Sequence, residues 1–315
     1  MRFNPKARLD TGRVSDAGGR GGGMGGPMRL PSGSMAGGGI GGVLLLLLLF
    51  VLSQCAGVDL TGGGGTGADS GGFDQSRIAA EDTGRYDNCK TGADAESDED
   101  CSRIAVENSL YDYWSATFPE VTGGEKFTPA TMQTFSGAVG TGCGQATSQV
   151  GPFYCPPDQT IYLDTSFFEQ VLQGALGGPN GAFVEPYVIG HEYGHHIQNL
   201  LGTMSRVKTQ QGPRSDAVRL ELQADCYAGL WARAATRTQD ADGNVLITEI
   251  TDQDIQEAIA AAEAVGDDRI QQKTQGQVTQ ESWTHGSAAS RVKWFQTGFS
   301  SGDIRTCDTW AVDTP

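Results

Sequence analysis

The stretch His191-Glu192-Tyr193-Gly194-His195 contains the residue types that a hydrolytic metal site needs. On a helix, residues four apart lie on one face, so both imidazoles can hold one Zn²⁺ from consecutive turns. Glu192 follows the first histidine, where its carboxylate can take a proton from a water molecule held by the metal. A buried helix with two ordinary histidines is the competing interpretation. Three of the chain's four histidines fall within six residues, which packing explains poorly.

A catalytic zinc ion keeps three protein ligands, so a third ligand must come from elsewhere in the chain. The longer pattern H-E-x-x-H-x-x-G-x-x-H fails, because Gln198 stands at the glycine position and Leu201 at the last histidine. Glu221, 26 residues after His195, is the other candidate. Asp225 lies four residues further on, so it could accept the N–H of a ligating histidine and fix its tautomer. An exposed helix face remains the alternative interpretation of this acidic pair.

The chain has two other histidines, His196 and His285, whose roles must be assigned. His285 lies outside the motif, and a histidine facing the metal could donate a hydrogen bond to the oxyanion of a tetrahedral intermediate. A surface histidine is an equally good interpretation of His285 from the residues alone. His196 points about 100° away from His195 on a helix, which predicts a neighbour of the site rather than a ligand.

At these residues the chain resembles the gluzincins, in which the H-E-x-x-H motif is followed by E-x-x-x-D. His285 with Arg291 six residues later is similar to the tail motif of CAAX-prenyl-type endopeptidases, although Gly286 replaces their usual proline. Residues 73–310 resemble more closely the bacterial putative neutral zinc metallopeptidase family. The segments that carry this resemblance are Gly142-Cys143-Gly144, residues 151–156, 161–164, 191–198, 221–229 and 285–295.

The resemblance implies Zn²⁺, peptide hydrolysis and a membrane-anchored domain. The hypothesised ligands are His191, His195 and Glu221. Glu192 is predicted to be the general base, His285 to steady the oxyanion, and Arg291 to orient nearby groups or bind substrate. A non-catalytic, zinc-stabilised peptide-binding or assembly protein of the cell envelope is the alternative. The intact Glu192 speaks against it, because a binding protein needs no base at that position.

Apolar periodicity and capping residues predict an α+β fold, a mostly helical zincin-like domain with a small β-sheet. Helices are expected over residues 187–202, 215–235, 252–265 and 287–299, with Thr251 as an N-cap. The acidic run at 94–100 is expected to open a further helix that stops before Pro119. Strands are expected within 132–139, 152–155 and 160–163. The sheet could hold an extended peptide at its open edge, or could only cover the core.

The N-terminal quarter predicts a membrane anchor. Residues 1–34 are glycine-rich with a net charge of +4, which suggests a disordered cytoplasmic tail. The apolar stretch at 35–55 is long enough for a transmembrane signal anchor, and 56–72 form a glycine-rich linker. The metallopeptidase domain is expected over 73–315. Basic residues before the span predict a single-pass protein of the cell membrane with a cytoplasmic N-terminus and an extracytoplasmic catalytic domain. Signal cleavage and lipidation at Cys55 remain open.

The net charge restricts the possible binding partners, and the cysteine content restricts the possible disulfides. The formal net charge of −16 argues against nucleic acid, so a peptide or protein substrate is the expected partner. Six cysteines follow Cys55, and six cysteines allow 15 disulfide connectivities. Proximity along the chain favours Cys89–Cys101 and Cys143–Cys155, which leaves Cys226–Cys307.

Overall fold

The computed structural model describes residues 1–19, 82–148 and 150–315. Helices account for 48% of these residues and strands for 15%. The domain is therefore a mixture of helix and sheet, and the expectation of a mostly helical fold is corrected in that respect.

The helices place most of the chemistry-bearing residues. Ser215 caps the helix that carries Glu221 by accepting a hydrogen bond from the backbone N–H of Val218. Thr251 and Ser287 cap two further helices in the same way, so the expected N-cap at Thr251 is confirmed and the other two helices begin within one residue of their expected starts. The helices are α1 Gly92–Ser97, α2 Glu99–Thr122, α3 Val184–Leu200, α4 Asp216–Ala234, α5 Asp252–Ala264, α6 Asp267–Gln275 and α7 Ala288–Ser301. A π-helical segment, Phe168–Ala175, precedes α3.

Helix α2 corrects one expected boundary. The chain was expected to leave the helix before Pro119, but α2 continues to Thr122 with Pro119 inside it. A proline this close to the end of a helix removes one backbone donor and leaves few later turns to disturb. Gly123 then ends the helix in the left-handed conformation, and its N–H bonds to the carbonyl of Pro119.

A small sheet lies beside the helices, as the sequence predicts. Its strand order is β2-β3-β7-β6, in which β2 and β7 run parallel to β3 and β6 runs antiparallel to β7. A separate hairpin joins β4 to β5, and β1 pairs with β8. The strands are β1 Arg2–Phe3, β2 Val14–Gly19, β3 Thr131–Ser136, β4 Ala138–Thr141, β5 Gly144–Thr147, β6 Phe153–Cys155, β7 Thr160–Asp164 and β8 Ile247–Glu249.

The first 19 residues belong to the folded domain, so the expectation of a disordered tail over 1–34 is wrong for them. Val14 in β2 lies opposite Met132 in β3. The guanidinium of Arg13 donates two hydrogen bonds, of 2.8 and 3.1 Å, to the buried carboxylate of Glu107 in α2. A buried carboxylate needs such a partner, so the basic residue that suggested a solvated tail instead holds β2 against α2.

The membrane assignment is also corrected. Among residues 1–19, 82–148 and 150–315, no helix has both the length and the apolar character needed to cross a membrane. The expected span at 35–55 and linker at 56–72 lie outside the described residues. One crossing between residues 19 and 82 would place β2 and β3 on opposite sides of a membrane, yet these strands are hydrogen-bonded neighbours. The expected single-pass topology, with a cytoplasmic N-terminus and an extracytoplasmic catalytic domain, is therefore wrong.

Three disulfides join the predicted pairs, Cys89–Cys101, Cys143–Cys155 and Cys226–Cys307. The third ties α4 to the segment that follows α7. Helices α4 and α7 also cross closely at two glycines. A Cβ on Gly229 would overlap the carbonyl of Phe295, and a Cβ on Gly298 would overlap the carbonyl of Cys226. This close crossing sets the distance between the polar side chains of α4 and α7.

Candidate metal centre

The three predicted ligands converge at the contact between α3 and α4. Nε2 of His191 lies 3.2 Å from one carboxylate oxygen of Glu221, and Nε2 of His195 lies 3.4 Å from the other. One ligand atom from each residue lies within 4.8 Å of the others. Ligand atoms of a tetrahedral zinc with bonds of about 2.0–2.2 Å are about 3.3–3.5 Å apart. Two imidazoles and one carboxylate at this spacing fit the ligand set of a catalytic zinc.

Gly194 inside the motif allows this convergence. A Cβ at Gly194 would lie 3.0 Å from both the Cα and the carbonyl oxygen of Ala224. Any side chain there would push α4 away from α3. The absence of one lets Glu221, one turn before Ala224, reach the two histidines. The glycine is thus part of the reason that the metal ligands meet.

Asp225 holds His191 in one tautomer. Its carboxylate is fully buried and lies 2.8 Å from Nδ1 of His191. It also accepts a hydrogen bond of 2.6 Å from the hydroxyl of Tyr187 and two of 2.9 Å from the guanidinium of Arg291. Burial raises the pKa of Asp225, but Arg291 and His191 together lower it to about 2. An ionised carboxylate only accepts, so Nδ1 carries a proton, and Nε2, which faces Glu221, is the ring nitrogen directed at the metal position.

Arg291 therefore lies behind the ligands. Its side chain is buried, and the guanidinium donates two hydrogen bonds to Asp225 and one to the carbonyl of Val265. It was predicted to orient nearby groups or to bind substrate. Its contacts suit the orienting role, because Arg291 bonds to Asp225 and lies within 3.3 Å of Nδ1 of His191.

Glu192 lies on the same helix with its carboxylate unengaged. The residue is 7% exposed, and its side chain makes no hydrogen bond or ion pair with the residues that the structure describes. Glu221, by contrast, is held by both histidines. Burial raises the pKa of Glu221, but His195 and His191 lower it well below the usual range. The two glutamates thus differ in their contacts, because Glu221 lies against both histidines and Glu192 has no side-chain partner among the described residues.

His285 is positioned by Asp267, an aspartate that no sequence pattern indicated. One oxygen of Asp267, the first residue of α6, accepts the backbone N–H groups of Thr284, His285 and Gly286 at 2.7–2.9 Å. The other oxygen lies 3.4 Å from Nδ1 of His285. Burial lowers the pKa of His285, whereas Asp267 and Glu221 raise it. The net effect is a raised pKa of His285, because the two carboxylates outweigh burial.

His196 is a structural neighbour of the site, as its helical position indicates. Nε2 lies 2.7 Å from the carbonyl of Thr128, which can only accept, so Nε2 carries the proton. Nδ1 then accepts a hydrogen bond of 3.0 Å from the hydroxyl of Tyr154 in β6. The ring is fully buried, and burial lowers the pKa of His196 to about 4. This neutral ring joins α3 to the edge of the sheet.

A family model described as putative neutral zinc metallopeptidase matches residues 2–310. The chain belongs to the putative neutral zinc metallopeptidase family. The match begins at residue 2, in agreement with the inclusion of β1 and β2 in the folded domain. The resemblance of residues 73–310 to this family is therefore confirmed. The matched region also includes the N-terminal strands β1 and β2.

Curated relatives of the chain come from mycobacteria and from Escherichia coli. Rv2575 of Mycobacterium tuberculosis and Mb2605 of Mycobacterium bovis are each 51% identical to the chain over 226 residues, which cover 71% of this chain and 75% of each relative. YpfJ of Escherichia coli K12 is 35% identical over 314 residues, 97% of this chain and 98% of the relative. All three bear the name of uncharacterized proteins. No solved structure matches the chain.

The low pKa of His196 leads to an expected pH dependence of stability. The unfolded chain binds a proton at this residue near pH 6.5, whereas the folded state does so only near pH 4. The folded state binds fewer protons between these values, so stability present above pH 6.5 is lost as pH falls toward 4. The full effect is on the order of 3 kcal/mol.

Urea unfolding with a chelator present measures this dependence. The stability advantage of the wild type over a His196→Gln variant should be largest at pH 7 and should shrink toward pH 4.5. A constant difference across this range would contradict a neutral, buried His196.

Proposed function

We propose that the protein is a zinc-dependent peptidase, and more specifically an endopeptidase. The observation that carries this proposal is the ligand set of His191, His195 and Glu221, with the unengaged carboxylate of Glu192 beside it. Membership of the zinc metallopeptidase family supports the same reaction class. A metal-stabilised scaffold would use the three ligands but would have no use for a free glutamate next to them.

The residues divide the reaction among them. When zinc is bound, it polarises the substrate carbonyl and makes a water molecule acidic enough to be deprotonated near neutral pH. Glu192 accepts the proton of the attacking water and later delivers it to the leaving amine. His285, held by Asp267, donates a hydrogen bond to the oxyanion that forms on the substrate. Asp225 and Arg291 keep His191 in its binding tautomer.

Strand β6 belongs to the surroundings of the proposed active site. Strand β6 lies at one edge of the four-stranded sheet, and only β7 pairs with it among the described strands. Tyr154 in β6 contacts His196, and Asn199 also donates to its hydroxyl, so β6 lies beside the metal-binding helix.

Metal analysis combined with a peptide pool tests the proposed function. The purified protein should hold about one zinc per chain, as expected for a single His₂Glu site. Cleavage of the pool, read by mass spectrometry, should stop after chelation and return when Zn²⁺ is restored, whereas added Mg²⁺ should not restore it. Zinc binding without any cleavage would indicate a non-catalytic, zinc-stabilised protein. Cleavage that resists removal of the metal would contradict a metallopeptidase.

A further inference from the structure

The second metal histidine has a buried amide as its partner. Oε1 of Gln198 lies 2.8 Å from Nδ1 of His195, and Gln198 is fully buried. Nε2 of Gln198 donates to the carbonyl of Leu220 at 2.7 Å and to Oε1 of Gln223 at 3.1 Å. Because the carbonyl of Leu220 can only accept, the amide nitrogen must face it. Oε1 must then face His195 and accept its Nδ1–H, which leaves Nε2 of His195 for the metal.

Gln223 fixes Gln198 in turn. Its own Nε2 donates to the carbonyl of Cys307 at 3.0 Å, which directs its Oε1 toward Gln198. Gln223 is 5% exposed and Cys307 is fully buried, so water does not compete for these bonds. Each amide thus has one orientation that satisfies all of its partners.

The carbonyl at the far end of this chain of bonds is itself held in place. Cys307 forms the disulfide with Cys226, which lies on α4 one turn after Gln223. The guanidinium of Arg219, one turn before Gln223, donates to the carbonyls of Thr309 and Val312. The segment after α7 is therefore fastened to α4 on both sides of the contact with Gln223.

We propose that Gln198 is a positioning residue for the metal ligand His195, and that Gln223 and the disulfide-anchored carbonyl of Cys307 hold Gln198 in the required orientation. The two ligating histidines then have different supports, a charged carboxylate for His191 and a neutral amide relay for His195. This inference rests on the proposed zinc site and is independent of peptide hydrolysis.

A buried glutamine can also stabilise the fold by packing alone. Packing and ligand positioning can be told apart by measuring stability and metal affinity separately. A packing residue affects the free energy of unfolding but not the affinity of the folded site for metal. A residue that sets the tautomer and ring angle of a ligand changes that affinity, typically by 10–100-fold. Gln271 provides a matched control, because it is a buried glutamine in α6 that bonds to Ser282 and Thr279, away from both metal-binding helices.

Zinc affinity, measured by competition with a chromophoric chelator, tests the relay on the full chain. Gln198→Leu should weaken zinc binding by about 10–100-fold, and Gln271→Leu should leave it unchanged. Gln223→Leu, which keeps Gln198 and its bond to Leu220 but removes one of the two acceptors of its amide nitrogen, should weaken binding by a smaller factor. The double variant Gln198→Leu/Gln223→Leu should bind zinc as the Gln198→Leu variant does, because Gln223 acts only through Gln198. The visible spectrum of the Co²⁺-loaded protein should change in both single variants, since it reports the ligand geometry directly.

The outcomes separate this inference from the proposed function. A wild-type protein that binds no zinc would contradict the proposed function, and the relay with it. A wild type that binds zinc, beside Gln198→Leu and Gln223→Leu variants with unchanged affinity and Co²⁺ spectra, would overturn the relay alone. Should Gln198→Leu fail to fold, Gln223→Leu decides on its own. Weakened zinc binding supports the relay, and unchanged binding overturns it.

Discussion

Replacing Glu192 by glutamine is expected to lower the rate of peptide cleavage by about 10²–10⁴-fold, the range that a positioned general base contributes. Glutamine has nearly the same size and shape as glutamate but cannot accept the proton of the attacking water. Zinc content should stay at the wild-type level, because the ligand atoms come from His191, His195 and Glu221. The loss should appear mainly in kcat, measured on one peptide chosen from the cleaved pool.

Two other glutamates make the controls for this expectation. Glu221→Gln should lose zinc together with activity, because it removes the charged ligand that the histidines hold. Glu263→Gln, at an exposed position of α5, should retain both. Unchanged hydrolysis in a zinc-loaded Glu192→Gln protein would refute the assignment of the base. Zinc bound by the wild type without any cleavage would point to the non-catalytic alternative.

The parts of the site that the sequence predicts are those set by local rules. Two histidines four residues apart must share a face once the segment is helical, so the pairing of His191 with His195 follows from helix geometry. Caps at Ser215 and Ser287 fix the starts of α4 and α7 within a residue, since each hydroxyl satisfies an N–H of its own first turn. Two of the disulfides join cysteines 12 residues apart, which nearness along the chain already favours.

Residues whose role depends on distant partners escaped prediction. Asp267 and Gln198 acquire their roles from the loop at His285 and from the carbonyl of Leu220, and no spacing rule links such positions. The N-terminal strand β2 also escaped prediction for this reason. Its parallel neighbour β3 begins more than a hundred residues later, and the buried partner of Arg13 is Glu107, 94 residues away. Basic, glycine-rich composition indicates a solvated tail when that partner is not known.

Helix α7 shows how both kinds of information combine at the site. Arg291 was singled out through a family resemblance, but its partner Asp225 lies 66 residues earlier on another helix. The two helices can approach because Gly229 and Gly298 leave room for backbone contact. A glycine in the middle of a helix lowers the stability of the isolated helix. Here they allow an arginine from one helix to neutralise a carboxylate on the other, and that carboxylate orients a metal ligand.

Replacing Asp225 by alanine is accordingly expected to affect folding and metal binding together. The change leaves the buried guanidinium of Arg291 without its counter-ion, and breaking a buried ion pair in this way costs about 3–5 kcal/mol. It also removes the acceptor for Nδ1 of His191, which should weaken zinc binding by about 10–100-fold. Urea unfolding of the metal-free protein measures the first effect, and competition with a chelator measures the second.

A double variant separates these two consequences. In Asp225→Ala/Arg291→Met both buried charges are gone, so much of the lost folding free energy should return, because an uncompensated charge is no longer buried. Zinc affinity should stay low, since Nδ1 of His191 still lacks its carboxylate. If zinc affinity recovered together with stability, Asp225 would act on the metal only through the integrity of the fold. If the single variant kept wild-type stability and affinity, the contacts of Asp225 with Arg291 and His191 would have no energetic role.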